Sequence, residues 1–179
     1  DTAVLPVAGL GTRFLPASKA IPKEMLPIVD KPIVQYAVEE AIEAGINEII
    51  FVTSPEKHSI LKHFSKNDEL AQKLSRSGKD EFQDILNPPL FENINFKFVT
   101  QHQQNGLGDA IYHAREMVGN KPFAVMLPDE IYLSKKSCMR QILDVYSITK
   151  SSVIAVQKVK ESQIHNYGVI KPENTNNSF

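Results

Sequence analysis

The chain has no tryptophan and a single cysteine, Cys138, among its 179 residues. One thiol can form neither a disulfide framework nor a cysteine-based zinc site, so Cys138 reads as a small apolar packing residue. An excess of either charge is also missing: 20 Lys and Arg stand against 21 Asp and Glu, a formal net charge of -1. That balance gives no long-range field for nucleic acid. No apolar run comes near the roughly 20 residues that a membrane helix needs. No charged-then-apolar leader precedes the first apolar run, which points to a cytoplasmic protein without membrane contact. The five histidines, His58, His63, His102, His113 and His165, have no metal-ligand spacing and read as surface residues. Ser18, Ser54 and Cys138 lack any local triad pattern, so covalent catalysis has no support.

What the chain does have is Val7-Ala8-Gly9-Leu10-Gly11-Thr12-Arg13, followed by Pro22-Lys23-Glu24-Met25-Leu26-Pro27. Two glycines directly after an apolar run let the backbone turn sharply, approach a ligand closely and present N–H groups to an anion. Arg13 offers a planar fork and Lys23 a compact charge, so the two can clamp a polyphosphate. The loop is not a Walker loop. It is not a dinucleotide fingerprint either, because Phe14 stands where a third small residue is needed. Asp30 lies about where a ribose-binding acid would, but it precedes Lys31-Pro32 and reads as a turn residue.

Apolar runs at Ala3 to Ala8, Glu48 to Thr53, Ile94 to Thr100, Phe123 to Leu127 and Ser152 to Lys158 read as strands. Helical patterns separate them: Pro32 to Ala44 with Gly45 as its cap, one opened by Pro55, a polar stretch from Asp68 to Leu86, Leu107 to Val118, and Ser137 to Lys150. This alternation predicts a Rossmann-like, doubly wound, mostly parallel α/β sheet forming a single domain over 1–179. Ligands of such sheets bind outside the carboxyl ends of the strands. Gly9 to Arg13, Gln101 to Gly108 and Pro128-Asp129 all fall there. Asp129 suits either Mg²⁺, which takes few carboxylates beside phosphate oxygens, or a plain Asx turn. Gln101 with Gly106-Leu107-Gly108 suits either a pyrimidine edge or a polar surface loop. The pattern does not separate these alternatives.

Taken in order, these motifs, with Leu127-Pro128-Asp129 and Tyr167-Gly168-Val169, closely resemble bacterial UTP-glucose-1-phosphate uridylyltransferases, within the sugar nucleotidyltransferase superfamily. The thymidylyl branch usually has Gly-Gly in place of Ala8-Gly9. The resemblance implies a nucleotidyltransferase or glycosyltransferase-A-like sheet, truncated at its C-terminus. It implies that UTP and glucose 1-phosphate give UDP-glucose and pyrophosphate, by in-line attack on the α-phosphorus with Mg²⁺ as cofactor and no protein nucleophile. Ala8, Gly9, Gln101 and Gly106 would hold the uridine, with help from Glu24. Gly11, Arg13 and Lys23 would bind the triphosphate, with Arg13 and Lys23 in the catalytic role. Asp129 would bind the metal and Gly168 would approach the glucosyl ring. A homo-oligomer is implied as well. Asp109 departs from the histidine, and Asn105 from the lysine, often found there in the family.

Two further expectations concern the ends. The chain opens at Asp1 almost directly into a strand, so a start further upstream is expected, and 171–179 reads as a loop cut short. A sheet lacking later elements is expected to expose apolar surface. A transferase for another nucleotide, or a nucleotide-binding module without catalysis, remains compatible with the residues alone.

Overall fold

Strands of a parallel sheet are covered on both faces, so they carry unbroken apolar runs rather than alternating ones. The computed structural model describes residues 1–171 and follows that rule. Strand β1 (Thr2–Pro6) is followed by three short 3₁₀ turns over 12–25 and a small hairpin, β2 (Pro27–Ile28) with β3 (Lys31–Pro32). Asp30 lies in the turn of that hairpin. Helix α1 (Ile33–Glu43) leads to β4 (Glu48–Thr53), and α2 (His58–Phe64), α3 (Asp68–Arg76) and α4 (Gln83–Leu86) lead to β5 (Asn95–Thr100). Helices α5 (Leu107–His113) and α6 (Arg115–Val118), strand β6 (Ala124–Val125) and helix α7 (Cys138–Thr149) follow, and a 3₁₀ turn over Glu161–Asn166 comes last among the described residues.

The four parallel strands lie side by side as β5-β4-β1-β6. Chain order therefore reverses between β1 and β6, which makes that gap the topological switch point where ligands of such sheets bind. Alternate side chains go to opposite faces. Ala3, Leu5, Ile49 and Phe51 join Val34, Val38 and Ala41 of α1 on one face, together with Met139 of α7. Val4, Ile50 and Val52 join Ala110, Ala114 and Val118 on the other. Phe51 anchors the first face, its ring 5.0 Å from those of Phe64 and Phe98.

Several predicted boundaries move. The stretch 68–86 is two helices rather than one, parted at Ser77-Gly78. Helix 107–118 tightens at Ala114, which donates to Ile111 O at 3.1 Å, while its buried stripe Ala110, Ala114, Val118 stays continuous. Pro55 lies in a turn closed by Lys57 N to Ser54 O at 3.1 Å, and α2 begins only at His58. The strand expected over 152–158 does not form, and Ile154 and Val156 are exposed. Strand propensity is largely a fit to a pleated, half-buried surface, and this segment pairs with nothing among the described residues. Cys138 is half-buried at the start of α7, where burial pushes its thiol up. The loop expected over 171–179 lies, from 172 on, outside the described residues.

The open edge beside β6 carries the expected apolar surface. Phe123, Val125 and Leu127 are exposed there, and a groove of about 930 Å³ runs between them and Ile142, Leu143 and Tyr146 of α7. No helix among the described residues is long and apolar enough to cross a membrane.

His63 is not the surface residue its context predicts. It lies edge-on to Phe64 at 4.9 Å, and its Nε2 donates to Gln35 Oε1 at 2.8 Å. Gln35 Nε2 in turn donates to Glu39 Oε1 at 2.9 Å. Burial pulls the imidazole below its ordinary 6.5, so the folded chain keeps it neutral. As pH falls below 6.5 the unfolded chain takes up a proton that the folded chain refuses. Stability is therefore lost on going down through that window. Urea midpoints at about pH 7.5 and about pH 5.5 should show this loss, and His63→Gln should have a smaller difference between the two. An equal difference would assign the acid sensitivity to other groups.

Candidate functional site

The carboxyl ends of β1, β4, β5 and β6 bring four connections together, and most of the sequence-predicted residues lie on them. After β1 the backbone carries Ala8, buried, then Gly9, Leu10, Gly11, Thr12 and Arg13, all partly or fully exposed. Val7 N still bonds Val52 O at 2.8 Å, so the loop departs only after β1 has run its full length beside β4. Gly11 has φ +65, and Ser18 Oγ donates to its carbonyl at 2.8 Å. A Cβ on Gly11 would come within 3.2 Å of Lys23 Cβ and 3.3 Å of Ser18 Cβ. The turn and the lysine segment are thus packed together through the missing side chain. Gly9 differs, since a Cβ there would have no neighbour within 4 Å and its φ is not left-handed.

Lys23 reaches across the switch point and binds Asp129 Oδ2 at 2.5 Å. Asp129 is in the turn after β6, closed by Glu130 N to Leu127 O at 3.0 Å. Two groups that lie 106 residues apart in sequence are thus one ion pair at the mouth of the sheet. The pair is partly exposed, and attraction between such charges is weak enough to exchange for other partners. Arg13 is exposed, with no hydrogen-bond or ion-pair partner among the described residues. An arginine fork held at a glycine turn and left unpaired is free to receive an anion.

Gln101 is almost fully buried at the end of β5, its N–H continuing the ladder to Thr53 O at 2.7 Å. Its Nε2 donates to Asp109 Oδ2 at 2.6 Å. A carboxylate can only accept, so this bond fixes which end of the amide is which. The Oε1 and the second N–H are left to pair with a flat ring that offers one donor and one acceptor. Gly106, with φ +104, turns the chain into α5 beside it and leaves open space where a Cβ would lie. Gly168 is exposed, has nothing within 4 Å of a Cβ position, and has no hydrogen bond to these residues among those described.

Sequence reasoning missed Lys57. It ends the turn Ser54 to Lys57 after β4. In the fold its side chain runs inward, and Nζ donates to Val7 O at 2.5 Å, Gly9 O at 2.6 Å and Glu24 Oε2 at 2.8 Å. Burial lowers the ammonium below its ordinary value, opposed by the bond and charge of Glu24. The one available signal was position: Lys57 follows the strand that neighbours β1, at the ligand end of the sheet. Glu24, predicted near the uridine, is buried with its carboxylate committed to Lys57.

A nucleotidyl transferase family model matches residues 2–178. The chain belongs to the nucleotidyl transferase family. It is 51% identical over 172 residues to a UTP–glucose-1-phosphate uridylyltransferase of Staphylococcus haemolyticus, covering 95% of this chain and 59% of that relative. The chain thus spans about three-fifths of the length of the curated relatives it matches. Among solved structures it is similar to a UDP-glucose pyrophosphorylase from Acinetobacter baumanii, with a TM-score of 0.93 and 39% identity over 99% of this chain and 63% of the other. It is similar also to a UDP-glucose pyrophosphorylase complexed with UDP-glucose, with a TM-score of 0.82 and 38% identity over 99% and 64% of the two chains. The α/β fold and the mostly parallel sheet are those of this family.

The two loop glycines should respond differently to alanine. Gly11→Ala puts a Cβ in the left-handed region and against Lys23, which should destabilise the chain by about 1–2 kcal/mol. Gly9→Ala meets nothing and should stay within about 0.5 kcal/mol of the parent. Denaturant unfolding of both variants checks this, and equal losses would mean that Gly9 also serves the fold.

Proposed function

We propose that this chain is the nucleotide-binding catalytic domain of a cytoplasmic enzyme that makes UDP-glucose and pyrophosphate from UTP and glucose 1-phosphate. The observation that carries the reading is that a glycine turn, the unpaired Arg13, the Lys23–Asp129 pair and the oriented amide of Gln101 all lie on connections at the carboxyl ends of the strands of one sheet. The names of its similar relatives point the same way.

In this reading Ala8 and Gly9 let the base approach the end of β1, and Gln101 with Gly106 pairs with the uracil edge. Gly11 shapes the turn that receives the phosphates, while Arg13 and Lys23 hold their oxygens. Gly168 approaches the sugar. Glu24 acts through Lys57 rather than on the base. Glucose 1-phosphate supplies the attacking oxygen, and the bond from the α-phosphorus to pyrophosphate breaks in line with it, so no side chain needs to become a nucleophile. Alignment and charge neutralisation are what the protein contributes.

Among the described residues no group of three or more His, Cys, Asp or Glu side chains could cage a metal. Asp129 offers hard oxygen donors in the turn after β6, at the carboxyl edge of the sheet. That donor set fits Mg²⁺, which takes one or two carboxylates and fills its remaining positions with phosphate and water. Bound there, the ion would neutralise phosphate charge. Asp129 would hold it, and Lys23 would move its ammonium from the carboxylate to the phosphates. The protein is further proposed to assemble as a homo-oligomer, with neither nucleic acid nor membrane as a partner.

Calorimetric titration of UTP with Mg²⁺ into the chain, with dTTP as the comparison, tests the reading. UTP should bind tighter than dTTP. Arg13→Ala should weaken UTP about 10- to 100-fold, the equivalent of one or two charge-assisted hydrogen bonds. Equal affinity for the two nucleotides would remove Gln101 and Gly106 from base selection, and an unchanged affinity in Arg13→Ala would remove that residue from the phosphate site.

A further inference from the structure

A lysine ammonium has three N–H donors and no acceptor. At Lys57 all three are taken: Val7 O, Gly9 O and Glu24 Oε2 lie at 2.5, 2.6 and 2.8 Å. No donor remains for a phosphate, and the side chain is 10% exposed, against 3% for Glu24. This lysine therefore has a different job from Lys23, which lies on the open face of the same site with one carboxylate partner.

The bonds of Lys57 tie three separate pieces of chain together. Val7 and Gly9 bracket Ala8, where β1 ends and the glycine turn begins. Glu24 belongs to the 3₁₀ turn Lys23–Met25, directly beside Lys23. Lys57 itself is fixed by the turn after β4, through Lys57 N to Ser54 O. Beyond the bond from Val7 N to Val52 O, no strand ladder ties these three pieces to one another. Without the ammonium, two backbone carbonyls and a buried carboxylate would converge with nothing between them, and like partial charges would push the pieces apart.

We propose that Lys57 is a positioning residue for the nucleotide site, an internal cross-link whose ammonium sets the path of residues 7–9 and the placement of Lys23 through Glu24, without touching the ligand. The inference rests on the nucleotide reading above for what is being positioned, but the cross-link itself does not depend on it. An arginine cannot replace it, because a planar guanidinium spreads its donors in one plane, whereas these three acceptors surround a single nitrogen.

The test uses three variants. Lys57→Met keeps an unbranched side chain, one heavy atom shorter, and removes the donors, and Lys57→Arg keeps the charge. Lys57→Met with Glu24→Met removes the buried charge together with its partner, which lets the chain fold where the single variant leaves an unpaired carboxylate. Amide hydrogen exchange without nucleotide should show faster exchange over residues 8–13 in every variant that folds, with the sheet still protected. Titration with UTP and Mg²⁺ should show affinity at least tenfold weaker in Lys57→Met and in Lys57→Arg, at temperatures where circular dichroism shows both to be folded. A folded Lys57→Met with unchanged exchange over 8–13, or with looser exchange and unchanged UTP affinity, would overturn the proposal, as would full affinity in Lys57→Arg. If the parent chain bound neither UTP nor dTTP, the nucleotide reading would fall, and the exchange comparison alone would still decide whether Lys57 holds the loop.

Discussion

Strand β1 is hydrogen-bonded on both sides, to β4 from Thr2 to Pro6 and to β6 at Ala3 and Val4, and it is buried on both faces. That double pairing is the constraint from which the site follows. A central strand cannot shift by a residue without turning its core side chains to the wrong face and breaking two ladders at once. The point at which β1 ends is therefore fixed, and with it the start of the glycine turn. The strands to its left continue the chain order and the strand to its right reverses it, so the crevice opens between β1 and β6. A flexible loop becomes a precise one because its root cannot move.

Three cations then divide the work by burial. Lys57 is enclosed and has every donor used on the protein. Lys23 is partly exposed and holds one carboxylate. Arg13 is exposed and has no partner among the described residues. Desolvation decides the order: a buried charge must be satisfied within the protein, while an exposed charge can exchange partners with little loss. In the proposed reading, groups that receive a polyphosphate have to remain exchangeable, and the group that shapes their setting has to remain fixed. The arrangement at the mouth of this sheet separates those two demands.

Much of this was legible in the residues because it rests on local pattern. The apolar runs of β1 and β4, the glycine turn and the stripe on α1 each follow from the sheet and helix periods. The pairing of Lys23 with Asp129 was legible only as two residues at two strand ends. Lys57 was not legible, because a lysine in a polar turn looks the same whether it points to water or into the fold. Which it does is decided by acceptors contributed from residues 7, 9 and 24. His63 escaped for the same reason, since its burial depends on Phe64 and on Gln35 of another helix. The run 152–158 went the other way: its strand pattern is strong, but a strand needs a partner edge as well as a propensity.

The most direct test of the account is a map of backbone amide shifts in this chain as UTP and Mg²⁺ are added. The account predicts that the shifts concentrate at the carboxyl edge of the sheet, over Ala8 to Arg13, Lys23, Gln101, Gly106 and Asp129, with little change at the opposite edge around Glu48 and Asn95. Shifts centred instead on the apolar groove between β6 and α7, or spread evenly over the sheet, would contradict it.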